Sequence, residues 1–131
     1  LTHTPIPNTR PEKYHTRSDQ ILDRVLRSVQ QPPLEQCHEA TYVIAVDRKG
    51  YCPTHNKRFT QPLTGDAERD KVGNRTKRIF ADPVGKRCGA HTQPFLIQTY
   101  RRDTGEIMHD ISAPIYVNGR HWGGFRIGYR A

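Results

Sequence analysis

Phe95-Leu-Ile-Gln-Thr-Tyr-Arg-Arg-Asp-Thr-Gly-Glu-Ile-Met-His-Asp-Ile-Ser-Ala-Pro-Ile-Tyr-Val-Asn-Gly-Arg-His-Trp-Gly-Gly-Phe-Arg-Ile-Gly-Tyr-Arg130 decides the fold. Two turn signals cut this stretch into three strands. Asp103-Thr104-Gly105 separates Phe95–Arg102 from Glu106–Val117, and Asn118-Gly119, the strongest short hairpin signal, separates the latter from Arg120–Arg130. Gly123-Gly124 marks a bulge or a close backbone approach. The result is an antiparallel meander whose side chains alternate between two faces. Phe95, Ile97, Thr99 and Arg101 share one face of the first strand, and Leu96, Gln98, Tyr100 and Arg102 the other. On the second strand His109, Ile111 and Ala113 oppose Met108, Asp110 and Ser112.

Upstream, Thr41–Val46 is a short β-rich run that suits a central strand covered on both faces. Asp47-Arg48-Lys49-Gly50 turns the chain, and Tyr51–His55 returns as an edge strand that Pro53 shortens. Ile21, Leu22, Val25, Leu26 and Val29 recur at the spacing of one helical face. Thr16 or Ser18 caps this helix, Asp19 sits in its first turn, and Pro32-Pro33 stops it. Residues 1–15, with Pro5, Pro7 and Pro11, form an extended N-terminal segment ahead of a single domain over 16–131. Residues 56–93 are broken by prolines and glycines and leave room for short helices over Asp66–Val72 and Arg75–Phe80, with Asp82-Pro83 turning the chain. The order of elements predicts an α+β domain: a five-stranded antiparallel sheet with the N-terminal helix and the short helices on one face.

The bulk properties narrow the function. At 131 residues the chain has the length of one domain, and an apolar fraction of 34% implies a thin core with long polar loops. It does not begin with Met and is expected to be part of something longer. Its longest apolar run, Tyr42–Val46, is far below the ~20 residues of a membrane-spanning helix. A net charge of +8 invites a nucleic-acid reading, but the basic residues are scattered. Only Arg75–Arg78 is dense, and no finger, RNP or helix-turn-helix pattern accompanies it. Nucleic acid is therefore not an expected partner. Three irregularly spaced cysteines, Cys37, Cys52 and Cys88, suit free thiols in a reducing compartment, which leans toward the cytoplasm.

Catalysis finds little support. Cys52 with His55 or His109 would make a thiol–imidazole pair, but no nucleophile elbow, paired-carboxylate motif or glycine-rich phosphate loop occurs. Cys88 and His91, two residues apart, are a weak metal-ligand pair; a structural zinc site wants four ligands. Covalent c-type haem needs a second cysteine that is missing here. No cofactor is expected, with non-covalent haem or a metal held by distant histidines as the alternative. Trp122 reads as core.

Four strings carry a resemblance: Ala45–Asn56, Asn74–Phe80, Pro94–Asp103, and Ser112–Val117 followed by Gly119–Gly124. Together they resemble the sensor domains, of PAS or Cache type, of bacterial methyl-accepting chemotaxis proteins, across about Thr4 to Arg130. The resemblance implies a receptor module joined, in the same polypeptide, to a coiled-coil region that controls a histidine kinase. It also implies a small-molecule ligand held between the sheet and the 56–93 segment, and it leaves a periplasmic location as the alternative to a cytoplasmic one. Asp110 is the first candidate for a cation or amine contact; Arg75 or Arg78 would favour a carboxylate or phosphate; Gln98, Tyr100, Met108 and Ser112 complete the polar face. Against these stand plainer roles: a strand-end ion pair for Asp110 and solvated surface for the two arginines. A metal, haem or redox sensor, or a module that only positions signalling helices, are the competing functions. The amphipathic helix is the expected homodimer contact.

Overall fold

The computed structural model describes residues 2–131. In chain order it contains β1 (Thr4–Ile6), β2 (Lys13–His15), α1 (Asp19–Gln36), β3 (Ala40–Asp47), β4 (Tyr51–Cys52), a 3-10 turn over Lys57–Phe59, α2 (Ala67–Gly73), β5 (Arg78–Ile79), α3 (Pro83–Ala90), β6 (Leu96–Arg101), β7 (Ile107–Val117) and β8 (Arg120–Arg130). The mixed α/β class is as expected, and the meander falls within a residue or two of its expected limits. Asn118 and Gly119 both adopt positive φ, as the two-residue turn between β7 and β8 requires.

The central sheet has four strands, in the order β3-β8-β7-β6, all antiparallel. The expected fifth strand is missing from it because β4 pairs with β5 instead, Tyr51 opposite Ile79 and Cys52 opposite Arg78. Pro53 has no N–H to extend a ladder along β3. The free edge of β3 is closed by two buried side-chain amides. Asn56 Oδ1 accepts from Val43 N at 2.9 Å, and Asn56 Nδ2 donates to Val43 O at 3.0 Å. Gln30 Oε1 accepts from Ala45 N at 2.8 Å while its Nε2 donates to Thr54 O at 2.9 Å. These amides satisfy the groups a neighbouring strand would have taken.

Residues 75–80 were expected as a helix and instead contain β5. Lys77 at φ 60 breaks any helical path, and Lys77 N and Phe80 N donate to Cys52 O and Gly50 O. The helix lies just beyond, where a turn was expected. Asp82 accepts from Gly85 N and Pro83 occupies the first turn, a start signal for α3 that was readable in the sequence. α2 begins as expected, with the Asp66 carboxylate accepting from Glu68 N and Arg69 N.

α1 runs past Pro32-Pro33 to Gln36. The two prolines remove donors for the carbonyls of Ser28 and Val29, but both residues are exposed, so water can replace the lost bonds. Beyond the prolines Leu34 is buried with Ala40 and Val43, against Phe125 and Ile127. That cluster lies on the face of β3 opposite Tyr42, Ile44 and Val46, which pack with Cys52, Cys88 and Met108. Helices therefore cover both faces of the sheet rather than one. α1 docks through Asp19, Gln30 and Leu34, and it leaves Ile21, Val25 and Val29 about half or more exposed (61%, 50% and 49%). Residues 1–15 are more than a lead-in: β1 and β2 form a hairpin, Tyr14 N donates to Lys77 O, and buried Lys13 reaches Asn74 Oδ1 and Thr76 O.

Candidate functional site

The inner face of the sheet, under α3 and the 56–93 segment, carries a buried polar network that follows from strand register. Gln98 pairs with Asp110, Asp110 with Gly128, and Gly128 with Tyr42, so these four positions form one row across the sheet. The row contains a glycine where a side chain would collide with the Tyr42 ring. The ring lies across that gap and its hydroxyl reaches Asp110 Oδ2. In the next row Ile44 pairs with Arg126 and Arg126 with Ser112. Arg126 Nε donates to Asp110 Oδ2 at 2.7 Å and its Nη2 to Tyr42 Oη at 3.1 Å. Cys88 Sγ, from α3, donates to Asp110 Oδ1 at 3.0 Å.

Asp110 is fully buried, and both of its oxygens are engaged. An incoming amine would have to displace Arg126, Tyr42 or Cys88. Its observed role is that of an internal counter-ion. Burial lowers the pKa of Arg126, but the Tyr42 hydroxyl and the Asp110 carboxylate beside it outweigh that and hold it well above the ordinary value. Burial pushes the Tyr42 hydroxyl far up, so this phenol is a hydrogen-bond donor and not an anion.

The other expected contacts sort into two groups. Gln98, Ser112 and Met108 hold α3 down. Gln98 accepts from Arg87 Nη1 at 3.2 Å and donates to Val84 O at 3.3 Å; Ser112 Oγ bonds His91 Nε2 at 2.9 Å; Met108 lies in the core. Tyr100, Arg75 and Arg78 do line a cavity. Neither arginine is solvated surface: Arg75 is 4% and Arg78 9% exposed. Both grip Asp103, on the turn between β6 and β7, with Arg75 Nη1 and Arg78 Nη2 each 2.9 Å from one of its oxygens. The arginines hold the Asp103 carboxyl below its ordinary pKa against the opposing effect of burial.

The cavity has two chambers sharing Arg75, Phe80 and Arg126 as a common wall. The inner one, about 20 Å³, is lined in addition by Tyr42, Ile44, His55 and Arg102. The outer one, about 340 Å³, is bordered by Arg78, Tyr100, Arg101 and Asp103 among others. Four guanidiniums thus converge on one aromatic-walled space. Arg75 and Arg78 lie over Phe80 at 5.1 and 5.0 Å, Arg102 over Phe59 at 5.0 Å, and Arg126 over Tyr42 at 5.2 Å. His55 is buried at the inner end and accepts from Asn56 N through Nδ1 at 2.8 Å. Burial and the neighbouring Arg75 and Arg102 lower its pKa well below the usual histidine range, so the ring is neutral and adds no charge.

Arg102, Arg126, His55 and Phe80 were not among the expected site residues. A signal existed for the first: alternation already placed Arg102 with Gln98 and Tyr100, and an arginine on the inward face of a strand needs a reason to be there. Arg126 was reachable from the Asn118-Gly119 turn, which sets it opposite Ser112. In the sequence His55 pointed only to a thiol–imidazole pair with Cys52, and no signal marked Phe80 as a cavity wall.

Cys88 and His91 bond separate partners, Asp110 and Ser112, and among the described residues no group of three or more His, Cys, Asp or Glu side chains is placed to hold a metal. Burial pushes the thiols of Cys52 and Cys88 up to about 12, far from the thiolate that nucleophilic or redox chemistry uses. Trp122 is half-buried, not core, and lines a separate depression of about 530 Å³ with His3, Asp47 and His121. The Asp47 carboxylate there is already taken by His3 Nε2 at 2.6 Å and by the N–H groups of Lys49 and Tyr51.

No family model matches the chain, and no curated protein matches it. Among solved structures it is similar in fold to an extracellular ligand binding receptor from Desulfohalobium retbaense DSM5692, with a TM-score of 0.57 and 11% identity. The similarity covers 86% of this chain and 20% of the receptor's, so the chain spans about a fifth of that protein. No helix among the described residues is long and apolar enough to cross a membrane.

Proposed function

We propose that the chain is the ligand-sensing module of a chemotaxis-type receptor, binding a small molecule between the sheet and the 56–93 segment. The observation that carries this reading is the two-chambered cavity at that place, walled by buried arginines and aromatic rings. So dense a set of buried cations is costly to fold, and a stability role alone gives no reason to retain it. The similarity in fold to a ligand binding receptor supports the same reading, as do the four sequence strings. The neighbour is described as extracellular, which supports a periplasmic sensor over the cytoplasmic placement suggested by the free cysteines. The reading requires no cofactor and no catalysis. Binding would act by favouring one of two arrangements of the module, which the attached coiled-coil region passes to a kinase.

A melting-temperature screen of the chain against small polar metabolites tests this. At saturation the ligand is expected to raise the melting temperature by several degrees, by mass action. A flat response to amines, purines, amino acids and organic acids at millimolar concentration would reject the sensing role and leave a module that only positions its neighbours.

The partner is proposed to be a second copy, docked through α1. Ile21, Val25 and Val29 repeat every fourth residue on its exposed side, and about a two-fold axis at Val25 the stripe is complementary to itself. Sedimentation equilibrium is expected to give a dimer that Val25→Glu converts to monomer. A wild-type chain that stays monomeric at high micromolar concentration would remove α1 from this role.

A further inference from the structure

The two edges of the central sheet are finished differently. On β3 the amides of Asn56 and Gln30 take outward backbone groups of Val43 and Ala45. β6 pairs with β7 alone, so every second residue of Leu96–Arg101 turns its N–H and C=O away from the sheet. Among the described residues nothing else bonds to the backbone of this strand. The usual protections of an edge are also missing from Leu96 to Tyr100. This run holds no charge and no proline, and its register with β7 is unbroken.

An open edge accepts another strand, and its surroundings select which kind. On the outer face Phe95, Ile97 and Ile107 are 63%, 56% and 41% exposed, because α1 packs on β3 at the far side of the sheet. On the inner face Arg87, exposed on α3, holds Gln98 Oε1 through Nη1 at 3.2 Å. Arg101, exposed at the end of the strand, donates to Gly105 O at 2.9 Å. Neither guanidinium has an ion-pair partner among the described residues. The carboxylates closest to them in the chain are already engaged: Asp82 caps α3, and Asp103 is held by Arg75 and Arg78.

We propose that the open edge of β6 is a docking site for an extended, acidic segment of a partner protein. The six residues of β6 set the length of the pairing, and the segment adds a fifth strand to the four of the sheet. Its backbone takes the free N–H and C=O groups. Its apolar side chains continue the face of Phe95 and Ile97, and its carboxylates lie on the α3 side within reach of Arg87. Arg101, at the strand's end, attracts the same charge. A second copy of this chain fits the edge less well. Both copies carry +8, and antiparallel pairing about a two-fold axis at Gln98 would turn two Arg87 guanidiniums toward each other. Docking here does not depend on a ligand in the cavity.

Three synthetic hexapeptides test this, each titrated into the 15N-labelled chain: alternating Val and Glu, alternating Val and Lys, and the Val-Glu peptide with its backbone nitrogens methylated. The Val-Glu peptide is expected to bind at least about tenfold tighter than the Val-Lys one, to weaken as salt is raised, and to shift the amide signals of Leu96–Arg101. The methylated peptide, which has no donors to pair with the edge, is expected not to bind. Two substitutions at exposed positions add independent readouts. Ile97→Lys is expected to weaken the Val-Glu peptide about tenfold or more, and Arg87→Glu to reverse the preference between the two charged peptides. Equal binding of both charged peptides, retained binding of the methylated one, shifts confined to other elements, or no binding at millimolar peptide overturns the proposal. Shifts of the β6 signals that grow with the concentration of the chain alone would make a second copy the occupant and overturn the acidic partner.

Discussion

Replacing Asp110 with alanine is expected to destabilise the fold by about 3–5 kcal/mol, a large share of the roughly 5–15 kcal/mol that holds a domain of this kind together. Asp110 neutralises Arg126 beneath α3, where both side chains are buried. Truncation leaves a buried guanidinium without its anion, and it also removes the acceptor of the Tyr42 hydroxyl and the Cys88 thiol. Pairing Asp110→Leu with Arg126→Met is expected to recover most of the loss, because the penalty lies in the uncompensated charge and not in the absence of the pair. Urea unfolding of the single and double variants measures both. An Asp110→Ala chain within about 1 kcal/mol of wild type would show that Arg126 finds another anion, contrary to the geometry.

The second large effect falls on Gly124. A Cβ built there lies closer than 3.0 Å to the carbonyl oxygen of Cys88, a backbone atom of α3 that cannot rotate away. The helix rests directly on the sheet at this point, which is the close approach the Gly123-Gly124 pair had suggested. Gly124→Ala must lift α3, and with it the Cys88–Asp110 and Gln98–Val84 bonds. The expected cost is about 3 kcal/mol, at the upper end of overpacking penalties. Because α3 roofs the polar network, the same variant is also expected to weaken any ligand response. Circular dichroism melts test the first part. An unchanged melting temperature would mean that the helix has slack that the packing does not show.

The sheet register was the part of the site most legible in the chain. An Asn-Gly turn fixes which residues oppose one another, and alternation then fixes the faces, so Gln98, Tyr100, Met108, Asp110 and Ser112 were placed together correctly from local rules. What those side chains do was less accessible. Asp110 is consumed by Arg126 and Tyr42, which lie 16 and 68 positions away in sequence. Arg75 and Arg78 read as surface because a dense basic run normally is one; here both are buried and Asp103 neutralises them in part. Helix limits failed for a related reason. Pro32-Pro33 ends a helix in water, but Leu34 gains more from the core than the two lost bonds cost at an exposed site.

By itself the sequence determined the α+β class, the three-stranded meander with its register, the face shared by the polar candidates, and the amphipathic character of α1. These depend on turn chemistry and periodicity, which act over a few residues. Only the tertiary structure decided that β4 leaves the sheet for β5, that side-chain amides close the edge of β3, and that four arginines meet beside His55. Each of these outcomes is a competition between distant partners for the same hydrogen bond or charge. The winner depends on burial and distance, quantities that no short stretch of chain contains.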